Sequence, residues 1–513
     1  MKQPIIKTIH DYIVSVEGKF DYKQNQIFTT KDQNVRMFVL SASKDQANLI
    51  ISDKNYPLVL GDEIYETKDS LEVETSRSMF GKIVDIYGKT IFPVDQNQEE
   101  SDIFPHKHNA FGVAHQLLSV QELDQQLFTG INIIDLMIPI GKGQRELIIG
   151  DRKTGKTHIA LNAVINQAKL NTKCIYVAIG LKKEDLMNIY NRLKEHDVLD
   201  NVIILFADSS NAYEQYLSPY IGMAHAENIS YEDDVLIIFD DLTKHANIVR
   251  EMSLLLDKPV GREAMPSELF FLHSSLLERS GNFVNRKTIS ALPIISIVDN
   301  DLTSLIASNV ISITDGQIVT SSDLFLKNKL PAIDINLSVS RTGSSVQNSI
   351  VRKIAKDIVK WFYAYKNQLK LASMDYELNK EAARKIGRGK QIDKLLEQRG
   401  ISIYSQNQLI LGSQIIIWDL LLEIDDKRKA FEFIQEFITK DQKAASIFQN
   451  IINNIEFDRQ IAKNYFKYAI YKFSSTYNLN WNIEVENSYI INNEKELFNE
   501  IKNNIGVDNG ENN

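Results

Sequence analysis

The chain has 513 residues, which at about 150 residues per domain predicts three domains and excludes a peptide hormone or a small disulfide scaffold. Its 58 basic residues against 67 acidic residues give a net charge of -9, a balance that argues against a nucleic-acid coat protein. The single cysteine, Cys174, excludes an intrachain disulfide and favours an intracellular protein. No apolar run approaches the roughly 18 residues that cross a bilayer, so membrane association is expected only through other subunits.

The first part of the chain, residues 1–77, predicts short strands separated by polar turns. The β-rich pieces are Tyr12 to Val16, Arg36 to Leu40, Asn48 to Ser52 and Glu63 to Glu66. Strands of this length at close spacing predict a small barrel or sandwich.

The middle of the chain, residues 78–347, predicts a parallel sheet. Near-continuous apolar runs alternate with longer amphipathic segments, a pattern typical of strands covered by helices on both faces. The apolar runs are Glu146 to Ile149, Cys174 to Ile179, Val202 to Phe206, Val235 to Phe239, Leu292 to Ile297 and Val310 to Ile313.

The last part, residues 348–505, predicts a helical domain. Apolar residues recur there at intervals of three and four and form one stripe along a long helix. The stripe consists of Val351, Ile354, Ile358, Phe362, Tyr365 and Leu369. The mostly polar residues 506–513 are expected to form a disordered tail.

One motif predicts a phosphate-binding site for a nucleotide with magnesium. Its residues fit the pattern G-x-x-x-x-G-K-[ST], follow a predicted strand and open a predicted helix, so backbone N–H groups would converge on a phosphate. Lys156 is expected to reach the terminal phosphates, and the Thr157 hydroxyl is expected to bind magnesium. The complete motif is Gly150, Asp151, Arg152, Lys153, Thr154, Gly155, Lys156 and Thr157.

Two further strand ends bear on the chemistry. The strand Val235 to Phe239 is followed by Asp240, which we expect to hold the magnesium ion through a water molecule. Hydrolysis also needs a group that orients the attacking water at a neighbouring strand end. Leu181 occupies that place, and its side chain can neither orient nor deprotonate water. The residues therefore predict nucleotide binding without cleavage. Glu184 and Asp185, one turn further on, stay open as substitutes.

Long stretches of the chain resemble the alpha subunit of F-type rotary ATP synthases. The resemblance implies a multidomain fold: an N-terminal β-barrel, a central RecA-like α/β P-loop domain and a C-terminal α-helical domain. The segments that carry it are Ile-Pro-Ile-Gly-Lys-Gly-Gln-Arg-Glu-Leu at 138–147, Gly-Arg-Glu-Ala at 261–264, Leu-His-Ser at 272–274, Asn-Val-Ile-Ser-Ile-Thr-Asp-Gly-Gln at 309–317 and Ser-Val-Ser-Arg at 338–341.

The resemblance implies roles for single residues. Arg341 matches the arginine that alpha lends to the catalytic site of beta, where it acts as an arginine finger. Phe325 and Pro331 match adenine-pocket positions, and Gln398 is a candidate for a further nucleotide contact. The chain departs from the family at three positions: Leu181 replaces a glutamine, Leu330 replaces an arginine and Lys153 replaces a glutamine.

The resemblance also implies partners. It predicts a beta-like catalytic subunit that alternates with this chain in a hexamer, a gamma-like central shaft, no nucleic acid, and a cytoplasmic position on the inner face of the cell membrane. The variant it suggests is a divergent, F-type-like ATPase of low-GC, wall-less bacteria, which either hydrolyses ATP or synthesises it with proton coupling. Two alternatives stay open: a self-sufficient homohexameric ring ATPase, which would need a carboxylate near Leu181, and an RNA-translocating ring ATPase, which the acidic charge disfavours.

Overall fold

The computed structural model describes residues 3–506 except residues 24, 68–70, 94–101, 115–116, 373–379, 402–404, 480 and 482. The predicted disordered tail, apart from its first residue, lies outside the described residues. The chain divides into two compact units. The first unit comprises Met1–Ile131, Ile138–Val346 and Arg399–Ile403, and the second comprises Asn132–Met137, Gln347–Gln398 and Tyr404–Asn513.

The N-terminal region is a six-stranded antiparallel sheet with the strand order β1-β2-β5-β4-β3-β6. Its strands are β1 (Ile5–His10), β2 (Ile13–Glu17), β3 (Ile27–Thr29), β4 (Arg36–Ala42), β5 (Gln46–Ile51) and β6 (Tyr65–Glu66). A bridge between Ile5 and Glu63 joins the two edges and closes the sheet into a barrel. The sequence prediction missed β1, in which only Ile6 is fully buried, so the strand shows no clear alternation of apolar residues.

Several short elements follow β6 in chain order. They are β7 (Glu72–Val73), β8 (Ile83–Val84), β9 (Thr90–Phe92), β10 (His108–Asn109), β11 (Gln126–Leu127), α1 (Asn132–Met137) and β12 (Ile140–Gly141). Two antiparallel pairs, β7 with β10 and β11 with β12, stand apart from the main sheet.

The central sheet is mostly parallel, as predicted. Its order is β20-β19-β13-β18-β16-β14-β15-β8-β9, with β17 paired to β18. The elements are β13 (Leu147–Asp151), α2 (Lys156–Lys169), β14 (Lys173–Leu181), α3 (Lys183–Glu195), β15 (Val202–Asp208), α4 (Ala212–Ile229), β16 (Val235–Asp240), α5 (Leu242–Leu255), α6 (Glu268–Leu277), β17 (Gly281–Phe283), β18 (Arg286–Ile297), α7 (Leu305–Ile313), β19 (Gly316–Thr320), α8 (Ser322–Leu326) and β20 (Val339–Ser340).

Consecutive residues of the inner strands are buried, which shows that both faces of the sheet are covered. All six residues of β16 are buried, and so are seven consecutive residues of β14. One predicted strand is wrong: Val310 to Ile313 form the last turn of α7, and the strand of that region is β19. A short apolar run does not distinguish a strand from a buried helix, and here packing of α7 against β13 and α6 decides the outcome.

The second unit is helical, as predicted. Its helices after α1 are α9 (Ser349–Ala372), α10 (Lys380–Leu396), α11 (Gln406–Ile417), α12 (Lys427–Lys440), α13 (Gln442–Ile452), α14 (Arg459–Tyr477) and α15 (Glu494–Ile505). The predicted apolar stripe of α9 is buried from Val351 to Tyr365, whereas Leu369 near the helix end is 37% exposed. Within the described residues, no helix combines the length and the apolar character needed to cross a membrane.

Candidate functional site

The phosphate loop, residues 150–157, joins β13 to α2 and is fixed by close contacts. A Cβ on Gly150 would lie 2.0 Å from Thr320 Oγ1, so only glycine permits this approach of β13 to β19. The Thr154 hydroxyl lies 2.6 Å from Thr320 Oγ1 and donates to Asp151 O at 2.8 Å. Because α2 begins at Lys156, the first backbone N–H groups of the helix have no partner within it and face the loop.

The Asp151 carboxylate ties the loop to two other segments. Its Oδ1 accepts from the backbone N–H of Asn300 at 2.9 Å, and its Oδ2 accepts from Ser322 Oγ at 3.2 Å. These bonds hold α8 beside the phosphate loop.

The Lys156 ammonium lies inside the loop. Its Nζ donates to Gly150 O at 3.0 Å and to Asp151 O at 2.5 Å, and the residue is only 6% exposed. Burial lowers the pKa of Lys156, while the nearby carboxylates of Asp241 and Asp240 act in the opposite direction. Arg152 and Lys153 are exposed on the same loop and add positive charge.

The two candidate magnesium ligands, Thr157 and Asp240, are hydrogen-bonded to each other. Thr157 Oγ1 donates to Asp240 Oδ2 at 3.0 Å, and the Tyr176 hydroxyl donates to the same oxygen. Burial raises the pKa of Asp240, and the hydrogen bond from Tyr176 lowers it. Burial also raises the pKa of Tyr176, so its hydroxyl keeps its proton and remains a donor. An alcohol and a carboxylate at this distance fit the oxygen ligands that magnesium prefers.

Strand β14 ends at the half-buried Leu181, the residue that the sequence analysis singled out. Gly180 forms a bulge with φ of +58°, and a Cβ there would lie 2.5 Å from Gln215 Oε1. Lys244 Nζ donates to Gly180 O at 3.0 Å and fixes the strand end further. Glu184 and Asp185 lie exposed in the first turn of α3.

The predicted base-binding residues fall in both units. Phe325 is 42% exposed on α8, and Pro331 follows Leu330 across a cis peptide bond. Both belong to the unit that carries the phosphate loop. Gln398 belongs to the second unit, where its Oε1 accepts from the Asn132 backbone N–H at 2.6 Å.

Arg341 lies at the edge of the sheet opposite to the phosphate loop. The loop end of β19 is Thr320, which pairs with Gly150, whereas Gly316 at the other end pairs with Ser340. Four residues of strand separate these ends by about 13 Å. The Arg341 guanidinium is exposed and donates to Thr314 O at 3.1 Å and to Ile311 O at 3.3 Å, at the carboxyl end of α7. Arg341 and the phosphate loop therefore lie at opposite ends of β19.

The sequence matches two family models over most of its length. Residues 130–340 match the nucleotide-binding domain of the ATP synthase alpha/beta family, and residues 347–473 match the C-terminal domain of ATP synthase alpha/beta chains. A protein named ATP synthase subunit alpha 2 from Mycoplasmopsis pulmonis is 42% identical over 453 residues, which is 88% of this chain and 88% of the relative. The chain belongs to the family of ATP synthase alpha subunits.

Two other alpha subunits are less identical to the chain and match it over a similar length. ATP synthase subunit alpha 1 of Mycoplasmopsis pulmonis is 38% identical over 458 residues, covering 87% of this chain and 85% of the relative. ATP synthase subunit alpha of Pasteurella multocida is 36% identical over 446 residues, covering 83% of this chain and 85% of the relative.

Sequence reasoning about this alpha-family chain missed Tyr176. The residue lies within the apolar run of β14, which predicts only a buried strand. A signal was nevertheless present, because a buried tyrosine hydroxyl usually needs a hydrogen-bond partner and Asp240 ends a neighbouring strand.

Proposed function

We propose that this chain is a nucleotide-binding, non-hydrolysing alpha-type subunit of a hexameric, F-type-like rotary ATPase. The observation that carries the proposal is Leu181, at the end of β14, in a unit that otherwise contains a phosphate loop and the Thr157–Asp240 pair. The chain binds Mg-ATP or Mg-ADP and contributes Arg341 to the catalytic site of a beta-like partner.

The nucleotide phosphates bind to the N–H groups of residues 150–157 and to Lys156. Thr157 and Asp240 hold the magnesium ion, Asp240 through a water molecule, and the ion neutralises phosphate charge when bound. The adenine base contacts Phe325 and Pro331. Support for this arrangement comes from the hydrogen bonds of Asp151, which hold α8, and with it Phe325, beside the loop.

The same site lacks the means to activate water. A general base or water-orienting group must lie within hydrogen-bond reach of the attacking water. A leucine side chain has no donor or acceptor, and the two carboxylates that follow it are exposed on α3. Bound nucleotide therefore stays intact in this subunit.

Arg341 serves a neighbouring subunit instead. Its guanidinium is exposed and lies at the sheet edge opposite to the chain's own loop. A planar, permanently charged guanidinium suits the stabilisation of charge on a transferred phosphoryl group. The partner that receives it is the beta-like subunit of an alternating ring around a gamma-like shaft.

The remaining parts of the proposal concern organisation and place. The chain is organised as a barrel over residues 1–77, a nucleotide domain over 78–347 and a helical domain over 348–505. The assembled complex lies on the inner face of the cell membrane and contacts the membrane only through other subunits. Within one organism, Mycoplasmopsis pulmonis, the chain is 42% identical to a protein named alpha 2 and 38% identical to alpha 1.

The first experiment measures assembly and phosphate release together. The purified chain and the chain co-expressed with its beta-like partner are examined by native mass spectrometry and by a phosphate-release assay. We expect the chain alone to retain Mg-nucleotide without turnover, and activity to arise only in a ring of six. Turnover by the chain alone would contradict the proposal and favour a homohexameric ATPase, with Glu184 or Asp185 as the next residue to mutate.

The second experiment tests Arg341 with a matched control. Arg341→Ala is expected to lower turnover of the ring by about 10³-fold or more, the usual range for an arginine finger, without loss of assembly. Arg192→Ala removes another exposed arginine, on α3, and should leave turnover unchanged. Normal turnover in an assembled Arg341→Ala ring would refute the finger role.

A further inference from the structure

Tyr176 and Asp240 lie on the same face of the central sheet. In the parallel pair β14–β16, Tyr176 is opposite Ile238 and Ala178 is opposite Asp240. Directly paired residues share a face, so Tyr176 and Asp240 are diagonal neighbours on it. The small Ala178 opposite Asp240 leaves room for the tyrosine ring to reach the carboxylate.

Tyr176 and Thr157 both donate hydrogen bonds to one oxygen of the Asp240 carboxylate. The Tyr176 hydroxyl donates to Asp240 Oδ2, and Thr157 Oγ1 donates to the same atom at 3.0 Å. Tyr176 has no exposed surface, and Asp240 is 6% exposed. Two donors on one carboxylate oxygen, inside the protein, fix the rotation of the carboxylate group.

A packing role alone does not require this hydroxyl. The neighbours of Tyr176 on its face of the sheet are apolar and buried: Ala178 on β14, and Ile204 and Ile238 opposite it on the two flanking strands. A phenylalanine would occupy the same volume in such a strand and would leave Asp240 with Thr157 as its hydroxyl donor. The hydroxyl therefore acts on the carboxylate, and the carboxylate lies at the candidate metal site.

We infer that Tyr176 is a positioning residue for magnesium: by holding Asp240 through Oδ2, it directs the other oxygen, Oδ1, to the metal or its water. The inference rests on the proposed Mg-nucleotide site and adds to it a residue that touches neither metal nor nucleotide. Groups that orient a metal-binding side chain commonly change metal affinity 10- to 100-fold when removed.

The test compares wild-type chain with Tyr176→Phe in a binding assay. Affinity for a fluorescent ADP analogue is measured in EDTA and across a magnesium titration, with the full-length chain. We expect Tyr176→Phe to raise the half-saturating magnesium concentration by about 10-fold or more and to leave affinity in EDTA unchanged. Tyr220→Phe removes another buried hydroxyl, which donates to Leu272 O at 3.3 Å on α6, and should change neither value.

A double-variant comparison separates positioning from general damage. On an Asp240→Asn background, Tyr176→Phe should have no additional effect on the magnesium midpoint, because the hydroxyl acts through that carboxylate. An unchanged or lowered midpoint in Tyr176→Phe overturns the inference, as does an equal further effect on the Asp240→Asn background. If the wild-type chain shows no magnesium-dependent nucleotide binding, the proposed function fails as well, whereas normal wild-type binding with an inert Tyr176 overturns only the inference.

Discussion

Gln144 and Ser340 are joined by a hydrogen bond of 3.1 Å between Gln144 Nε2 and Ser340 Oγ. The same amide nitrogen donates to Glu146 Oε2 at 2.8 Å, and Gln144 Oε1 accepts from Gly141 N at 2.7 Å. The segment that leads into β13 is thereby bonded to the segment that ends in Arg341. Strand β13 is therefore preceded by Gln144, which bonds the segment that carries Arg341, and followed by the phosphate loop.

Loss of the Ser340 hydroxyl should make the position of Arg341 less fixed. The hydroxyl donates to Pro139 O at 2.6 Å and accepts from Gln144 and from Gly343 N. We expect Ser340→Ala to lower the free energy of unfolding by about 1–3 kcal/mol, because buried polar groups lose a partner. Turnover of the assembled ring should fall while assembly is retained, as measured by phosphate release and native mass spectrometry.

A suitable control is Ser275→Ala. That hydroxyl donates to Leu272 O of the same helix, α6, at 3.1 Å, so its removal should change neither turnover nor assembly. If Ser340→Ala rings turned over at the wild-type rate, the anchoring role of the Gln144–Ser340 bond would be disproved.

The buried Glu146 carboxyl should make stability depend on pH. Burial, with a contribution from Asp315, raises the pKa of Glu146 well above its usual value, against the hydrogen bond from Gln144 and the charge of Arg341. The folded chain therefore keeps a proton that the unfolded chain loses near pH ~4.3. The contribution of Glu146 to the free energy of unfolding is therefore greatest below that pH and falls as the pH rises toward the raised pKa.

Glu146→Gln removes this titration. The stability of the variant relative to wild type should increase by about 1.4 kcal/mol for each pH unit within that window. Chemical unfolding at a series of pH values from about 5 to 8 measures the difference, with exposed Glu195→Gln as control. Parallel stability curves for wild type and Glu146→Gln would show that the carboxyl titrates normally.

The sequence predicted the elements whose signals are local. The phosphate loop needs only its own residues and the strand and helix that flank it, and Asp240 needs only the apolar strand before it. The apolar stripe of α9 was visible for the same reason, because its spacing follows the helical period.

The parts that the sequence left out depend on distant segments. The run at 310–313 is apolar and β-branched, yet it ends α7 because that helix packs on β13 and α6. The partner of Tyr176 is 64 residues away in sequence, and the partner of Gln144 is 196 residues away. Such pairs are set by strand order and register, which composition and periodicity do not specify.

The buried ion pair between Arg279 and Glu227 should dominate the stability of its region. The side chains are 1% and 2% exposed and their charged atoms lie 2.5 Å apart. Glu227→Gln leaves a buried guanidinium without its counter-charge and should cost about 3–5 kcal/mol in chemical unfolding. Glu17→Gln breaks the exposed 2.8 Å pair with Lys7 and should cost less than about 1 kcal/mol. If the two variants lost similar amounts of unfolding free energy, the expected effect of burial on the strength of an ion pair would be contradicted.

Lys153 should strengthen phosphate binding by charge alone. It is exposed on the phosphate loop. A cation near the phosphates, partly screened by water, is worth about 1 kcal/mol, so Lys153→Gln should weaken ATP binding by about 5-fold at low salt. The difference should vanish near 1 M salt, where charges are screened within about 3 Å.

Lys169→Gln, at the far end of α2, removes an equal charge about 20 Å away and should have no effect at either salt concentration. A loss of affinity in Lys153→Gln that persists at high salt would mean that the side chain acts through contact or loop shape instead of charge.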